Sequence, residues 1–248
     1  MARFSGQAAL ITGGTRGIGA AIAAGLAAEG CRVLVNGRNS DAETEANLKK
    51  LRELGDIELL NGDASDPEVA AALVDRVRNR FGRLDYLVPA AGGAHNGTIL
   101  SHTPDSWEAA FSVHIHALFH IFRAAQPMLA ERGGGVLFIG SAAGRRGVPA
   151  AVAYATVKGA LPNLARALAR DHAAEGIRVN VIEPGIIRTR FHAAMTPEVE
   201  KNNLANRIPL KRFGTAENVA TAAIELLTNP FITGETLGID GGMSMRMV

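Results

Sequence analysis

The chain has one cysteine, Cys31, in 248 residues. A single thiol forms no internal disulfide, so the fold must rest on its core, and a reducing, cytoplasmic setting is expected. Aromatic residues are scarce, with only two tyrosines and one tryptophan. No apolar stretch approaches the roughly 20 residues that cross a bilayer, and the opening MARFSGQAAL lacks the apolar centre of a signal segment. No membrane contact is therefore expected. Charge of one sign is missing too: the formal net charge is +2 and no run of five or six like charges occurs, so nothing resembles a nucleic-acid arm. Small molecules are the expected partners.

What is present suits a large globular unit, since 47% of residues are hydrophobic and 20% charged. Short apolar or β-branched runs at 8–12, 32–36, 57–61, 85–88, 136–141, 178–183 and 236–240 alternate with stretches of helical period near 17–29, 41–54, 67–81, 104–131, 152–175 and 216–227. This alternation predicts an α/β fold: a single Rossmann-type domain over 1–248, with a doubly wound parallel sheet of about seven strands and helices on both faces. The longest stretch without an assignment, 186–213, is a candidate flap over a ligand. It carries Arg188, Arg190, His192 and Lys201, which would favour an anionic substrate or simply form a solvated basic surface.

Between the first strand and the first helix lies "ITGGTRGIG", with four glycines in nine residues. In a doubly wound sheet this turn approaches a dinucleotide: glycines let the backbone come close, and the helix amino terminus favours the negative pyrophosphate. A tight structural turn is the plainer alternative, but the position after strand one favours a phosphate cradle.

Thr12, Gly13, Gly17 and Gly19 form TGxxxGxG, Tyr154 and Lys158 form YxxxK, and Ser141 precedes the tyrosine by thirteen residues. "NVIEPGIIRT" and "GETLGIDGG" follow in order. With these motifs the chain resembles the classical short-chain dehydrogenases/reductases from end to end. The resemblance implies a nicotinamide cofactor, hydride transfer to or from a carbonyl carbon, and a homotetramer. It also implies cofactor contacts from Gly13, Thr15, Arg16, Gly17, Ile18, Gly19, Asp63, Ala64, Ala91, Gly92, Tyr154, Lys158, Pro184, Gly185, Ile187 and Thr189.

NAD sites place an acid after the second strand, where it would repel the additional phosphate of NADP. Here "VLVNGRN" offers Gly37 at that place, followed by Arg38. Arg16 and Arg38 could converge on a 2′-phosphate through charge-assisted hydrogen bonds, so the expected cofactor is NADP(H). Two solvated surface arginines are the bland reading. Asp63 resembles the family's adenine-binding acid or serves as a turn cap, with Asp66 the expected cap before Pro67.

A tyrosine acting as acid or base near neutral pH needs its pKa, near 10, lowered by about 2 to 3 units. Tyr154 and Lys158 lie one helical turn apart, so the ammonium could stabilise the phenolate. By resemblance Lys158 also binds the nicotinamide ribose, and Ser141 in "IGSAAG" hydrogen-bonds the substrate oxygen.

Two departures from the family stand out. His114 in "FSVHIHALFH" replaces an asparagine that supports a water-mediated proton path to the lysine, and it could relay protons or merely pack. In "LVPAAGG", Pro89 and Ala90 replace two asparagines, and Pro89 is expected at the strand's carboxyl end. Substrate contacts are expected from His95 and Phe191. No metal is expected, because His116 and His120 lack further ligands nearby. Pro162 removes the hydrogen bond to the Lys158 carbonyl.

The functional expectation is an NADP(H)-dependent oxidoreductase of a carbonyl or secondary alcohol, with Tyr154 as general acid/base. An alternative is a 3-oxoacyl-(acyl-carrier-protein) reductase, which "RIPLKRFGTAENVA" resembles. That branch calls for basic helix ends near the site's mouth, where Arg132 fits and Glu175 does not. A catalytically weak NADP-binding sensor is the remaining alternative.

Overall fold

The computed structural model describes residues 2–245. Its first half contains β1 (Ala8–Thr12), α1 (Gly17–Ala28), β2 (Arg32–Gly37), α2 (Ala42–Arg52), β3 (Ile57–Asn61), α3 (Pro67–Phe81), β4 (Tyr86–Pro89), α4 (Pro104–Phe111) and α5 (Ala117–Ala130). Then follow β5 (Gly134–Ile139), α6 (Val152–Asp171), β6 (Ile177–Pro184), α7 (Pro197–Asn202), α8 (Ala216–Thr228) and β7 (Thr236–Ile239). The strands form one parallel sheet in the order β3-β2-β1-β4-β5-β6-β7.

Alternate side chains of each strand feed two hydrophobic layers. Ala8 and Leu10 of β1 pack with Leu73, Phe122, Met128 and Leu161 from α3, α5 and α6. Ala9 and Ile11 pack with Ile22, Leu26, Leu48 and Val219 from α1, α2 and α8. Burial on both faces explains why these strands are apolar throughout rather than alternating. From β1 the chain turns first to β2 and later to β4 on its other side. That reversal opens a crevice at the carboxyl ends of β1 and β4, where ligands of such sheets bind.

Helix starts follow local chemistry. The Asp66 carboxylate accepts the Glu68 amide at 2.8 Å ahead of Pro67, and Thr103 caps α4 ahead of Pro104. Pro89 closes β4, where its missing N–H leaves no gap inside the sheet. Three elements differ most from the sequence expectation. β5 runs over 134–139 rather than 136–141, because Gly134 and Gly135 already pair with Ile177 and Arg178. The expected helix over 104–131 is interrupted by a π turn at Ser112–His116, and the one over 152–175 ends at Asp171 before a 3-10 turn. α6 continues past Pro162 without a break.

The flap holds a 3-10 turn at Arg190–His192, then α7 and a second π turn at Asn203–Arg207. Its two ends are tied together: the Arg188 amide donates to Gly214 at 2.8 Å and the Gly214 amide to Ile186 at 3.0 Å.

Two loops meet at the crevice through Ala150, whose carbonyl accepts the Gly97 amide at 2.8 Å. Ala150 holds a left-handed φ of 52°, a conformation that costs an alanine about 1–2 kcal/mol. Glycine removes that cost but adds about 0.4–1 kcal/mol of unfolded-state freedom. Ala150→Gly is therefore expected to raise stability by about 0.5–1 kcal/mol in urea unfolding.

Candidate active site

The glycine-rich turn lies between the ends of β1 and β4. Gly13 has φ 64°, and a Cβ there would sit 2.7 Å from the Ala91 nitrogen, so no side chain fits and the turn presents bare backbone. A Cβ at Gly19 would collide with the Gly13 carbonyl. Arg16 stands at the N-cap of α1 with an extended backbone and no side-chain cap, and Ile18 follows in the first helical turn. Thr15 is buried beneath the turn, 2.9 Å from where a Gly37 side chain would begin. The Ala90 and Ala91 amides donate to the carbonyl and hydroxyl of Thr12 at 3.0 and 3.3 Å, which brings Gly92 alongside.

Pro184 ends β6, the Gly185 amide donates to Ile239 at 3.0 Å, and Ile187 and Thr189 open the flap. The Thr189 methyl lies 3.8 Å from a Cβ built on Gly17. These residues thus gather at the carboxyl edge of the sheet. A backbone cradle at an uncapped helix amino terminus fits the pyrophosphate of a nicotinamide dinucleotide.

Arg16 and Arg38 are both paired with carboxylates. The Arg16 guanidinium donates to Asp41 at 3.0 and 3.1 Å, to Glu43 at 3.2 Å and to the Thr44 hydroxyl at 2.7 Å. The Thr44 amide, then Arg16, hold the Asp41 carboxyl down to about 2. Arg38 is 3.9 Å from Asp63, with 73% of its side chain exposed. Asp63 accepts the amide and hydroxyl of Ser65 at 3.0 and 2.7 Å, so it shapes a turn beside buried Ala64.

Ser141, Tyr154 and Lys158 come together. Ser141 lies two residues beyond β5 and caps the 3-10 turn Ala142–Gly144, its Oγ accepting the Ala143 amide at 3.1 Å. A Cβ on Gly144 would be 2.9 Å from the Lys158 carbonyl oxygen. Pro162 has no N–H to offer that carbonyl, so the turn after Ser141 seats closely on α6 at this point. Lys158 is buried, its Nζ donates to the Ile139 carbonyl at 2.6 Å, and burial lowers its pKa to about 7. Tyr154 is half-buried, with Lys158 Nζ 5.7 Å from its ring centroid. The lowered tyrosine expected from the spacing is not what this geometry produces. Burial holds Tyr154 above its ordinary value, and the Ser141 hydroxyl opposes that only in part.

His114 lies in the π turn and is buried. Its Nε2 is 3.0 Å from the Gly93 carbonyl, which can only accept, so Nε2 carries the hydrogen. Nδ1 is left as a lone pair with no partner among the described residues. Burial, reinforced by Lys158, lowers the imidazole to about 3. Its ring stands edge-on to His95 at 5.5 Å and to Tyr154 at 5.7 Å, while Phe191 lies 5.8 Å from Tyr154 on the flap side. Both proposed substrate residues thus flank the tyrosine's row of rings. A cavity of about 10 Å³, enough for one water, is lined by Thr12, His114, Ile139 and Lys158 among others.

Some features escaped the sequence reading. Glu183 is a buried acid in β6, paired with Arg145 and carrying an unpartnered Oε1; an acid inside the apolar run of "NVIEPG" was the available signal. Arg132 and Glu175, expected near the site's mouth, instead line a groove at the amino ends of β4, β5 and β6, at the opposite edge of the sheet. The cause is connectivity, since both residues sit in turns that lead into strands. Among the described residues no three His, Cys, Asp or Glu side chains gather as a metal site, and no helix is long and apolar enough to cross a membrane.

The family model described as enoyl-(acyl carrier protein) reductase matches residues 13–244. The chain is 34% identical to the 3-oxoacyl-(acyl-carrier-protein) reductase FabG of Escherichia coli (strain K12), covering 98% of this chain and 99% of that protein. It is 32% identical to the FabG of Staphylococcus aureus (strain Mu50), over 96% and 98%. Among solved structures, a short-chain type dehydrogenase/reductase from Mycobacterium ulcerans superposes with a TM-score of 0.93 at 32% identity, covering 98% of this chain and 91% of that one.

The His114 shift has a measurable consequence. Between its ordinary 6.5 and its folded value of about 3, the unfolded chain binds a proton that the folded one does not. Stability therefore falls as pH falls through that window, by up to about 1.4 kcal/mol per pH unit. His114→Asn is expected to flatten that part of the slope in denaturant unfolding between pH 6.5 and 4. An unchanged slope would refute the buried neutral imidazole.

Proposed function

The chain belongs to the short-chain dehydrogenase/reductase family of oxidoreductases, and on that premise we propose that it transfers hydride between NADP(H) and a carbonyl or secondary alcohol, with Tyr154 as general acid/base. The observation that carries this reading is the placement of Ser141, Tyr154 and buried Lys158 beside the glycine cradle. The bound nicotinamide supplies the hydride for the carbonyl carbon, or accepts it from the alcohol.

In reduction, the Tyr154 hydroxyl gives its proton to the substrate oxygen, and Ser141 Oγ donates a hydrogen bond to the same oxygen as charge develops there. The phenolate left behind is costly in a buried site, which is why Tyr154 sits above its ordinary pKa. Protonated Lys158 offsets that cost. With a pKa of about 7 its Nζ can also release a proton near neutral pH, a direction in which an ordinary lysine is poor. His114, at about 3, is too weak a base to carry that proton itself. Its Nδ1 lone pair and the adjoining one-water cavity support a role in holding a water beside Lys158.

Gly37 at the end of β2 and the exposed Arg38 that follows it support NADP(H) over NAD(H). Phe119, 54% exposed on α5, supports assembly into a homotetramer, and the lone buried Cys31 agrees with a cytoplasmic enzyme. A second reading, a 3-oxoacyl thioester on acyl carrier protein as the substrate, is favoured by the names of the two FabG relatives.

Cofactor depletion against ketones, aldehydes and 3-oxoacyl thioesters separates these substrates. Tyr154→Phe should lower kcat by about 10²–10⁴-fold; a variant that keeps most of its turnover would sink the assignment. Arg38→Ala should weaken NADPH binding about tenfold relative to NADH in a fluorescence titration. Gly37 is left unchanged in that comparison because any side chain there would press on Thr15.

A further inference from the structure

Four charged side chains from three elements meet at the rim of the glycine-rich turn. Arg16 comes from the turn, Asp41 and Glu43 from the start of α2, and Arg190 from the first residues of the flap. Arg190 reaches Glu43 Oε2 at 2.8 Å and Asp41 at 3.8 Å. Arg16 reaches the same Glu43 oxygen at 3.2 Å. Beside Arg190, Thr189 lies against Gly17, so the flap's first residues cross the turn and are tied on its far side to the start of α2, most closely through Glu43.

The two acids are not equivalent. Asp41 also pairs with Arg16, but it is fixed to α2 by the Thr44 amide, which it accepts at 2.8 Å. Glu43 has hydrogen bonds only to Arg16 and Arg190 among the described residues, so it is free to redistribute between them. A carboxylate divided between two guanidinium groups holds each less firmly than it would hold one. An anion that takes Arg16 therefore leaves Glu43 to Arg190 alone.

We propose that Glu43 is a cofactor-specificity residue through which a 2′-phosphate tightens the flap: the phosphate takes Arg16, and Glu43 turns wholly to Arg190. This rests on the NADP(H) reading above. NAD(H), lacking that phosphate, leaves Glu43 shared and the flap looser. The pairs are partly solvated, with side-chain exposures of 29% for Arg16 and 62% for Arg190, so the effect is modest and salt-sensitive.

The test is hydrogen exchange of peptides covering 186–214 in the full chain, for wild type, Glu43→Gln and Arg190→Gln. Each is measured free, with saturating NADPH and with saturating NADH, at low salt and at about 0.5 M salt. In wild type, NADPH should slow exchange at the flap's start about two- to fivefold more than NADH. That difference should vanish in both variants and at high salt, and the free variants should exchange faster than free wild type. Equal protection by the two cofactors in wild type, or a difference retained in Glu43→Gln, overturns the proposal. So does a free Glu43→Gln flap that exchanges like wild type. The dissociation constants from the same titrations judge the NADP(H) reading separately: tighter NADH binding sinks that reading, while the cofactor-free comparison still tests the strap.

Discussion

An ammonium buried without a carboxylate is the constraint on which the candidate site depends. Lys158 has lost its water and has one strong partner, the Ile139 carbonyl at the end of β5. Such a group is tolerable only if the surroundings are rigid enough to keep that carbonyl in place. Three features supply the rigidity. β5 pairs with β6 through six residues up to Ile139. The turn after Ser141 is seated on the Lys158–Gly159 peptide, which a side chain on Gly144 would prevent. The Gly97–Ala150 hydrogen bond and the neighbouring Gly97–Ala151 bridge fasten the loop that leads into Tyr154. The same burial raises Tyr154 and lowers His114, so all three shifts have one origin in excluded water.

How much of this was legible in the sequence depended on the range of the interactions. β1, β3 and α3 have the bounds that their residues suggest, because apolar runs, Asp66 with Pro67 and the helical period are local signals. The YxxxK spacing placed Tyr154 and Lys158 on one helix face for the same reason. The limits of β5 were not local, being set by pairing with β6 some forty residues later. Nor was the π turn around His114. "FSVHIHALFH" has an ordinary helical pattern, and the extra residue per turn shows only when His114 is found facing Gly92 and Tyr154.

The pKa argument shows a different limit. Spacing says that Lys158 can lie near Tyr154, and it does. Spacing says nothing of how much water each retains, and that quantity sets the sign of the tyrosine's shift. The arginines were similarly half-legible. Arg16 and Arg38 stand out in the sequence, but Arg16's partners Asp41 and Glu43 are more than twenty residues away in the chain, and Arg190 is 147 residues from Glu43.

The site therefore has two electrostatic regimes side by side. Inside, around Lys158 and His114, charge is scarce and uncompensated, and each proton added or removed is felt strongly because no water or counter-ion answers it. At the rim, Arg16, Arg38 and Arg190 stand against Asp41, Glu43 and Asp63, so positive and negative side chains are equal in number. A ligand phosphate arriving there meets a compensated surface, and its binding is an exchange of one anion for another. Such an exchange yields modest affinity from the ion pairs alone. It leaves the backbone cradle to fix the cofactor's position, and it gives a displaced Glu43 a definite place to go. In this fold that place is the first turn of the flap.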